Sequence, residues 1–159
     1  PNLLLQKTPA DNFTATTKLK LISKAENQYG GIIMMGLDYS ALVVKRVGDK
    51  FELQQITCHK ADKNGKEAVK TLATLNRTGQ DDNDYQFAIH EEIYLQMKVN
   101  NGKVNFAYSM NGKNFKPVGD TFAMREGKWI GAKIGFVAQE PAGTTNRGWI
   151  DIDWFRVTK

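Results

Sequence analysis

The sequence has very few residues of the kinds that build disulfide frameworks and metal clusters. Its 159 residues include one cysteine, Cys58, and two histidines, His59 and His90. One thiol cannot close an internal disulfide or assemble a zinc site. A single thiol says little about the compartment, because large secreted bacterial domains often dispense with disulfides. We favour an extracellular or periplasmic location.

Long apolar runs are also lacking. The longest, Ile32 to Leu37, is interrupted by Gly36 and followed at once by Asp38, whereas a transmembrane helix needs about 20 apolar residues. We therefore expect a soluble domain without a membrane span. The chain begins with Pro1, and no charged-then-apolar leader follows it, so we expect that its N-terminus was processed or trimmed.

Clusters of basic residues are lacking, although the net charge is +5 from 22 basic and 17 acidic residues. Lysines and arginines mostly occur singly, between apolar residues or in turns, as is typical of solvated strands. No basic stripe with interleaved aromatic residues is present. The sequence thus predicts no nucleic-acid partner.

Helical periodicity is nearly absent, and alternation of apolar with other residues replaces it. In Tyr94–Val99 and Lys103–Met110 every second residue is apolar, and Asn101-Gly102 lies between the two runs. Asn-Gly supplies the two positive φ angles of a type I′ turn, so this segment predicts a β-hairpin.

Short strands bounded by turn residues recur along the chain and predict an all-β fold, a jelly-roll-like sandwich of two antiparallel sheets. The further predicted strands are Leu3–Lys7, Thr14–Ile22, Gly31–Asp38, Ala41–Val47, Phe51–His59, Tyr85–His90, Phe115–Val118, Lys133–Ala138 and Gly148–Val157. Residues 66–75 fit a helical turn or a strand equally well, and residues 76–84 read as a polar loop. Without a repeat or linker, residues 1–159 are predicted to form one domain.

Pairs of carboxylates placed for general acid–base catalysis are not evident. Neighbours in a strand point to opposite faces, so Glu91 and Glu92 cannot converge on one bond. Asp81 and Asp82 lie in a polar stretch without an apolar wall to raise a pKa. The sequence therefore predicts no catalytic residues.

Asp151 and Asp153 share one face of the last predicted strand, which carries large apolar residues on both faces. We therefore expect this strand to lie in the middle of a sheet and its carboxylates to be partly buried. A buried carboxylate needs a partner, which would be Arg147, Arg156 or backbone N–H groups, or alternatively a structural calcium ion with oxygen ligands. No other cofactor is predicted.

Several segments in order resemble a known family: Asn2–Lys7, Phe13–Leu19, Gly36–Tyr39, Ala107–Phe115, Gly131–Gly135 and Asp151–Val157. Together they resemble the C-terminal concanavalin-A-like β-sandwich of family 43 glycoside hydrolases, the β-xylosidase and α-L-arabinofuranosidase group. The resemblance covers nearly the whole chain. It implies that the first strand or strands of the domain, and an N-terminal catalytic propeller domain, are missing before Pro1.

The resemblance implies an accessory module that packs on the propeller and shapes the rim of its pocket, with xylo- or arabino-oligosaccharides as the carbohydrate ligand. In the resembling hydrolases the region of Trp129 faces the propeller, and Lys133 stands where they often have Phe. Aromatic faces stack on sugars while polar side chains read hydroxyls. The predicted substrate-binding residues are Trp129, Arg125, Lys133, Tyr39 and Trp149. Two alternatives stay open: a free-standing carbohydrate-binding module, and a structural or interaction sandwich without sugar affinity.

Overall fold

A computed structural model describes residues 1–75, 79–80, 89–125 and 131–159. The described part consists of β-strands and one 3₁₀ turn, Ala61–Lys63. The strands are β1 Asn2–Lys7, β2 Asn12–Ser23, β3 Tyr29–Met35, β4 Tyr39–Val47, β5 Lys50–Cys58, β6 Glu67–Leu75, β7 Gly79–Gln80, β8 Ile89–Asn100, β9 Lys103–Ser109, β10 Lys116–Ala123, β11 Lys133–Gln139 and β12 Trp149–Thr158. No helix in these residues is long and apolar enough to cross a membrane.

The strands form two antiparallel sheets. The first sheet has the order β1-β11-β3-β4-β5-β6, and the second has the order β10-β9-β8-β2-β12 with β7 beside β8. The prediction of an all-β fold with two antiparallel sheets is thus confirmed. Hydrogen bonding pairs strands that are distant in sequence, such as β2 with β12 and β3 with β11. The N-terminal and C-terminal parts of the chain therefore lie side by side in both sheets.

The core lies between the sheets and follows from the alternation in the sequence. Leu19 and Leu21 of β2 face inward, and Leu42 and Val44 of β4 meet them from the first sheet. The same cluster includes Phe51, Leu53, Ile93, Leu95, Met97, Phe106, Ile134 and Phe136. Burial of these large side chains stabilises the fold by about 1.5–3 kcal/mol for each fully buried one.

The predicted hairpin at Asn101-Gly102 is confirmed. Asn100 pairs with Lys103, and the two turn residues have φ angles of 46° and 78°. These positive angles are those that a type I′ turn requires. The undecided segment is resolved as strand β6, which pairs with β5 over its whole length. Residues 76–84 and the predicted strand Tyr85–His90 lie largely outside the described residues.

The expectation that the last strand runs through the middle of a sheet is wrong. β12 is an edge strand that pairs with β2, and a bulge at Asp153 interrupts the pairing between Ile152 and Trp154. A bulge adds one residue and reverses which side chains face the core. Ile150 therefore packs against the core before the bulge, and Phe155 after it.

Candidate functional site

Three connections meet at one end of the sandwich, which we call the loop end: the turn 36–38, the segment 59–66, and residues 124–125 with 131–133. Arg125 joins them. Its Nε and Nη2 atoms donate to Oδ1 of Asp38 at 2.9 Å and 2.7 Å, and Nη2 also donates to the Leu37 carbonyl at 3.0 Å and to Asp62.

Asp38 is only 3% exposed at its side chain and collects further donors. The Lys60 amide donates to Oδ1 at 2.7 Å, and His59 Nδ1 lies 3.3 Å from Oδ2. Burial alone would raise the pKa of this carboxyl, but the hydrogen bonds from Arg125, Lys60 and His59 outweigh burial and hold the pKa at about 2. The Arg125 hydrogen bond likewise lowers the pKa of Asp62. The loop end is therefore a network of ionised groups.

An apolar groove, the end groove, lies beside this network and measures about 600 Å³, solvent at its mouth included. Leu5, Met35 and Leu37 line it together with residues 131–133. Lys133 is exposed at its margin and pairs with Met35 across the sheet. The structure thus brings the predicted residues Arg125 and Lys133 to the same end of the molecule.

Trp129 lies outside the described residues. The chain on either side of it is fixed by hydrogen bonds: the Met124 amide donates to the Gly102 carbonyl at 2.9 Å, and the Thr8 amide donates to the Ala132 carbonyl at 3.2 Å. Met124 and Ala132 are both buried. Residues 124 and 132, on either side of the residues that are not described, are therefore held against the sandwich.

Tyr39 begins β4 at the loop end and borders a second apolar groove on the outer face of the first sheet, the face groove. Its hydroxyl donates to Oε1 of Glu67 at 2.5 Å, and burial together with this bond raises the pKa of the Tyr39 phenol. The floor of the face groove is formed by Ile33, Ala41, Ile56 and Val137. Tyr29 closes its far end.

Trp149 lies at the opposite end of the sandwich. β3 runs from Tyr29 to Met35, and Tyr29 lines a cleft with Trp149 whereas Met35 lines the end groove. Seven strand residues separate these two sites by about 20 Å. Among the predicted substrate-binding residues that the structure describes, Arg125, Lys133 and Tyr39 therefore cluster, and Trp149 belongs elsewhere.

The carboxylates behave partly as the sequence predicts. Glu91 is buried inside the sandwich, and Glu92 on the other face lies 3.6 Å from Nζ of Lys18, so the two cannot act on one bond. Asp153 is 62% exposed and lies 3.4 Å from the same Lys18 nitrogen, so the expectation of a partly buried carboxylate is wrong.

Within the described ranges no group of three or more His, Cys, Asp or Glu side chains could hold a metal. A calcium ion at Asp151 and Asp153 stays a prediction.

Sequence reasoning missed the partners that complete these sites. Asp62 belongs to the loop-end network, Glu67 receives the Tyr39 hydroxyl, and Gln139 and Glu140 line the cleft of Trp149. Each is brought into place by the tertiary fold, across 63 positions for Asp62 and Arg125 and 28 positions for Tyr39 and Glu67, and none belongs to a local motif that could have signalled it.

Comparison with known proteins identifies the family of this chain. Residues 1–158 match the model of the β-xylosidase C-terminal concanavalin A-like domain. A 64-residue stretch is 34% identical to a β-xylosidase of Formosa agariphila, and it covers 40% of this chain and 10% of that protein.

Solved structures agree in fold. The family 43 protein BlXynB of Bacillus licheniformis superposes with a TM-score of 0.70 at 19% identity, over 98% of this chain and 29% of its own length. A bifunctional family 43 protein of Bacteroides eggerthii gives a TM-score of 0.71 at 16% identity, over 99% of this chain and 19% of its own. The chain thus spans less than a third of each of these proteins. The match over residues 1–158 shows that it belongs to the family of C-terminal concanavalin A-like domains of family 43 β-xylosidases.

Proposed function

We propose that this chain is the accessory C-terminal module of a glycoside hydrolase that acts on xylan- or arabinan-type oligosaccharides. In this proposal the parent protein carries a catalytic propeller domain before Pro1, together with the first strand or strands of the sandwich. The module packs on that propeller and contributes the segment around residues 124–133 to the rim of the substrate pocket. Family membership and the 34% identity to a β-xylosidase support the proposal.

The observation that carries it is the fixation of Arg125. Its two hydrogen bonds to one oxygen of the buried Asp38 hold the guanidinium group, while Asp62 and the Leu37 carbonyl share its Nη2 atom. Because these contacts fix the guanidinium group, they also fix the backbone at residue 125. A preorganised group loses little conformational entropy when a partner domain or a sugar binds beside it. Arg125 is thus suited to a place at the rim of a pocket.

The end groove supplies the apolar surface that docking on a second domain needs. Leu37 is one of a few large apolar side chains described as exposed, and it lies between Arg125 and the groove. Domain interfaces bury such patches under a partner surface. Under this proposal Trp129, Arg125, Lys133 and Tyr39 face the sugar or the propeller at this end.

The first test is the coding sequence upstream of Pro1, where a family 43 catalytic domain is expected. The second uses the full-length protein with Leu37→Asp, and Met110→Asp as its matched control. Leu37 and Met110 are 37% and 46% exposed, so neither change should unfold the domain, but only Leu37 borders the end groove. We expect kcat/KM for an aryl xyloside to fall with Leu37→Asp alone. Equal activity of both variants would contradict docking at the loop end.

A free-standing carbohydrate-binding module is the second candidate, and the face groove favours it. Two tyrosines, Tyr29 and Tyr39, lie at its ends over an apolar floor, each with its hydroxyl bonded to a polar side chain. Such a combination of rings and polar groups suits pyranose rings. Sugar binding by the isolated chain, abolished by Tyr39→Ala and with no catalytic domain encoded upstream, would favour this candidate over the first.

A further inference from the structure

We propose that the cleft around Trp149, the end cleft, is a separate binding site for a neutral oligosaccharide, remote from the loop end. It measures about 410 Å³, solvent at its mouth included, and lies between the start of β12 and the first sheet. Its lining includes Tyr29, Gln139, Glu140, Arg147 and Trp149. The inference goes beyond the proposed function, since it holds whether or not the loop end docks on a catalytic domain.

The walls of the end cleft are fixed by one buried amide. Gln28 Oε1 accepts bonds from Ser23 Oγ at 3.0 Å and from the amides of residues 24 and 25 at 2.9 Å and 3.0 Å. Its Nε2 donates to Glu140 Oε2 at 3.1 Å and to the Asn146 carbonyl at 2.7 Å. Gln28 therefore holds both ends of the connection between β11 and β12 against the sandwich.

Gly148 completes this arrangement. A Cβ atom at this position would lie 2.6 Å from Gln28 Oε1 and 2.6 Å from the Ile22 carbonyl oxygen, which is closer than real contacts allow. The chain can therefore pass over Gln28 only with glycine, and Trp149 follows directly. Trp149 thus emerges from a rigid support, and a site with rigid walls loses little entropy on binding.

Aromatic and polar groups meet in the end cleft in the combination that sugars require. Trp149 contributes an indole ring, with Lys24 Nζ 5.0 Å from its centroid. Tyr29 lies across the cleft, and its hydroxyl donates to Gln139 Oε1 at 2.8 Å. Ring faces contact the C–H groups of a pyranose or furanose, and the Gln139 amide offers a donor and an acceptor to its hydroxyls.

The charges favour a neutral ligand. Arg147 Nε lies 3.8 Å from Glu140 Oε1, so a cationic and an anionic group stand side by side in the lining. Such a pair donates to one hydroxyl and accepts from the next, as the hydroxyl groups of a neutral sugar require. The other nearby cation, Lys24, lies over the Trp149 ring. The Arg147 side chain is 84% exposed and is able to reorient over a bound sugar.

The end cleft also opens towards the face groove, because Tyr29 and Gln139 line both. A sugar chain held by its end at Trp149 can therefore continue over Tyr29 onto the first sheet. Because Trp149 is about 20 Å from the loop end, a sugar bound in the end cleft itself does not occupy the proposed pocket rim.

The test is a titration of the isolated chain with xylohexaose, arabinohexaose and tetragalacturonate. Binding is measured by calorimetry and by changes in amide NMR chemical shifts. We expect the two neutral sugars to bind with shifts at Tyr29, Gln139 and Trp149. Trp149→Ala should weaken binding about tenfold or more, and Arg147→Ala should weaken it without altering the melting temperature. Trp154→Ala and Arg156→Ala, on the same strand but outside the cleft, are the matched controls and should bind like wild type.

Three results would overturn the inference: no binding of either neutral sugar at millimolar concentration, binding of tetragalacturonate alone, or binding that Trp149→Ala and Arg147→Ala leave unchanged. If Trp149→Ala lowers the melting temperature strongly, Arg147→Ala decides, since its exposed side chain carries little of the fold. These outcomes are independent of the proposed function, which fails if no catalytic domain is encoded before Pro1.

Discussion

The guanidinium group of Arg125 places two N–H donors on one carboxylate oxygen of Asp38, at 2.9 Å and 2.7 Å, across 87 positions of sequence. This contact joins the chain after β10 to the turn between β3 and β4. Asp62 contacts the same guanidinium group from a third connection. The end of the sandwich on which the proposed docking depends is therefore held by charge-assisted hydrogen bonds, in addition to the apolar core.

Replacement of the buried carboxylate should destabilise the domain. Asp38→Asn removes the charge that Arg125, the Lys60 amide and His59 share, and we expect a loss of about 2 kcal/mol in the free energy of unfolding. Urea denaturation measures it. The matched control is Asp120→Asn, whose carboxylate is 74% exposed and pairs with Lys70. That change should cost less than about 0.5 kcal/mol, and equal losses in both variants would contradict the role of Asp38.

The same carboxylate should make stability depend on pH in the acid range. The folded-state pKa of Asp38 is about 2, below the value of about 4 for an unfolded aspartate. A depressed pKa stabilises the fold fully above about pH 4, and the contribution is lost as the pH falls towards 2. The stability difference between wild type and Asp38→Asn should therefore shrink between these two values. A difference that stays constant down to the lower one would argue against an ionised Asp38.

How far sequence reasoning reaches depends on the separation of the interacting residues. The Asn101-Gly102 turn was predictable because its φ angles are a local property of those two residues. The Asp38–Arg125 pair was not, because strand order alone brings the two residues together. The bulge at Asp153 also escaped prediction, since strict alternation over β12 puts Phe155 on the face of Asp153, and one unpaired residue reverses that assignment.

Asp153 should contribute little to stability, for the same reason. Its carboxylate is 62% exposed and pairs with Lys18 at an edge strand, so Asp153→Asn should change the free energy of unfolding by less than about 0.5 kcal/mol. Thermal denaturation measures this, with and without EDTA. A calcium ion at Asp151 and Asp153 would instead stabilise wild type over the variant, and EDTA would abolish that difference.

The phenol of Tyr39 should resist ionisation. Burial and the hydrogen bond to Glu67 raise its pKa, and burial together with the Glu67 charge raises the pKa of Tyr29 to about 12. Exposed tyrosines ionise near pH 10, so ultraviolet titration should show Tyr29 and Tyr39 ionising only in stronger base. Glu67→Gln removes the negative charge and should lower the pKa values of both phenols, Tyr29 and Tyr39. An unchanged titration curve in this variant would contradict the contact.

The isolated chain should hydrolyse neither aryl xylosides nor aryl arabinosides. Glycosidases place two carboxyl groups about 5–9.5 Å apart around the scissile bond, whereas Glu91 faces the interior and Glu92 faces Lys18 outside. Arg125 keeps Asp38 ionised, so this carboxyl has no proton to donate. Its oxygens are buried and already accept hydrogen bonds from Arg125 and the Lys60 amide, so it cannot attack a sugar. Nitrophenol release by the purified chain should equal the buffer blank, with the full-length protein as the positive control. Turnover that a single substitution within residues 1–159 abolishes would reveal an active site in this domain. It would contradict the proposal that this domain is an accessory module and that the propeller carries the catalytic residues.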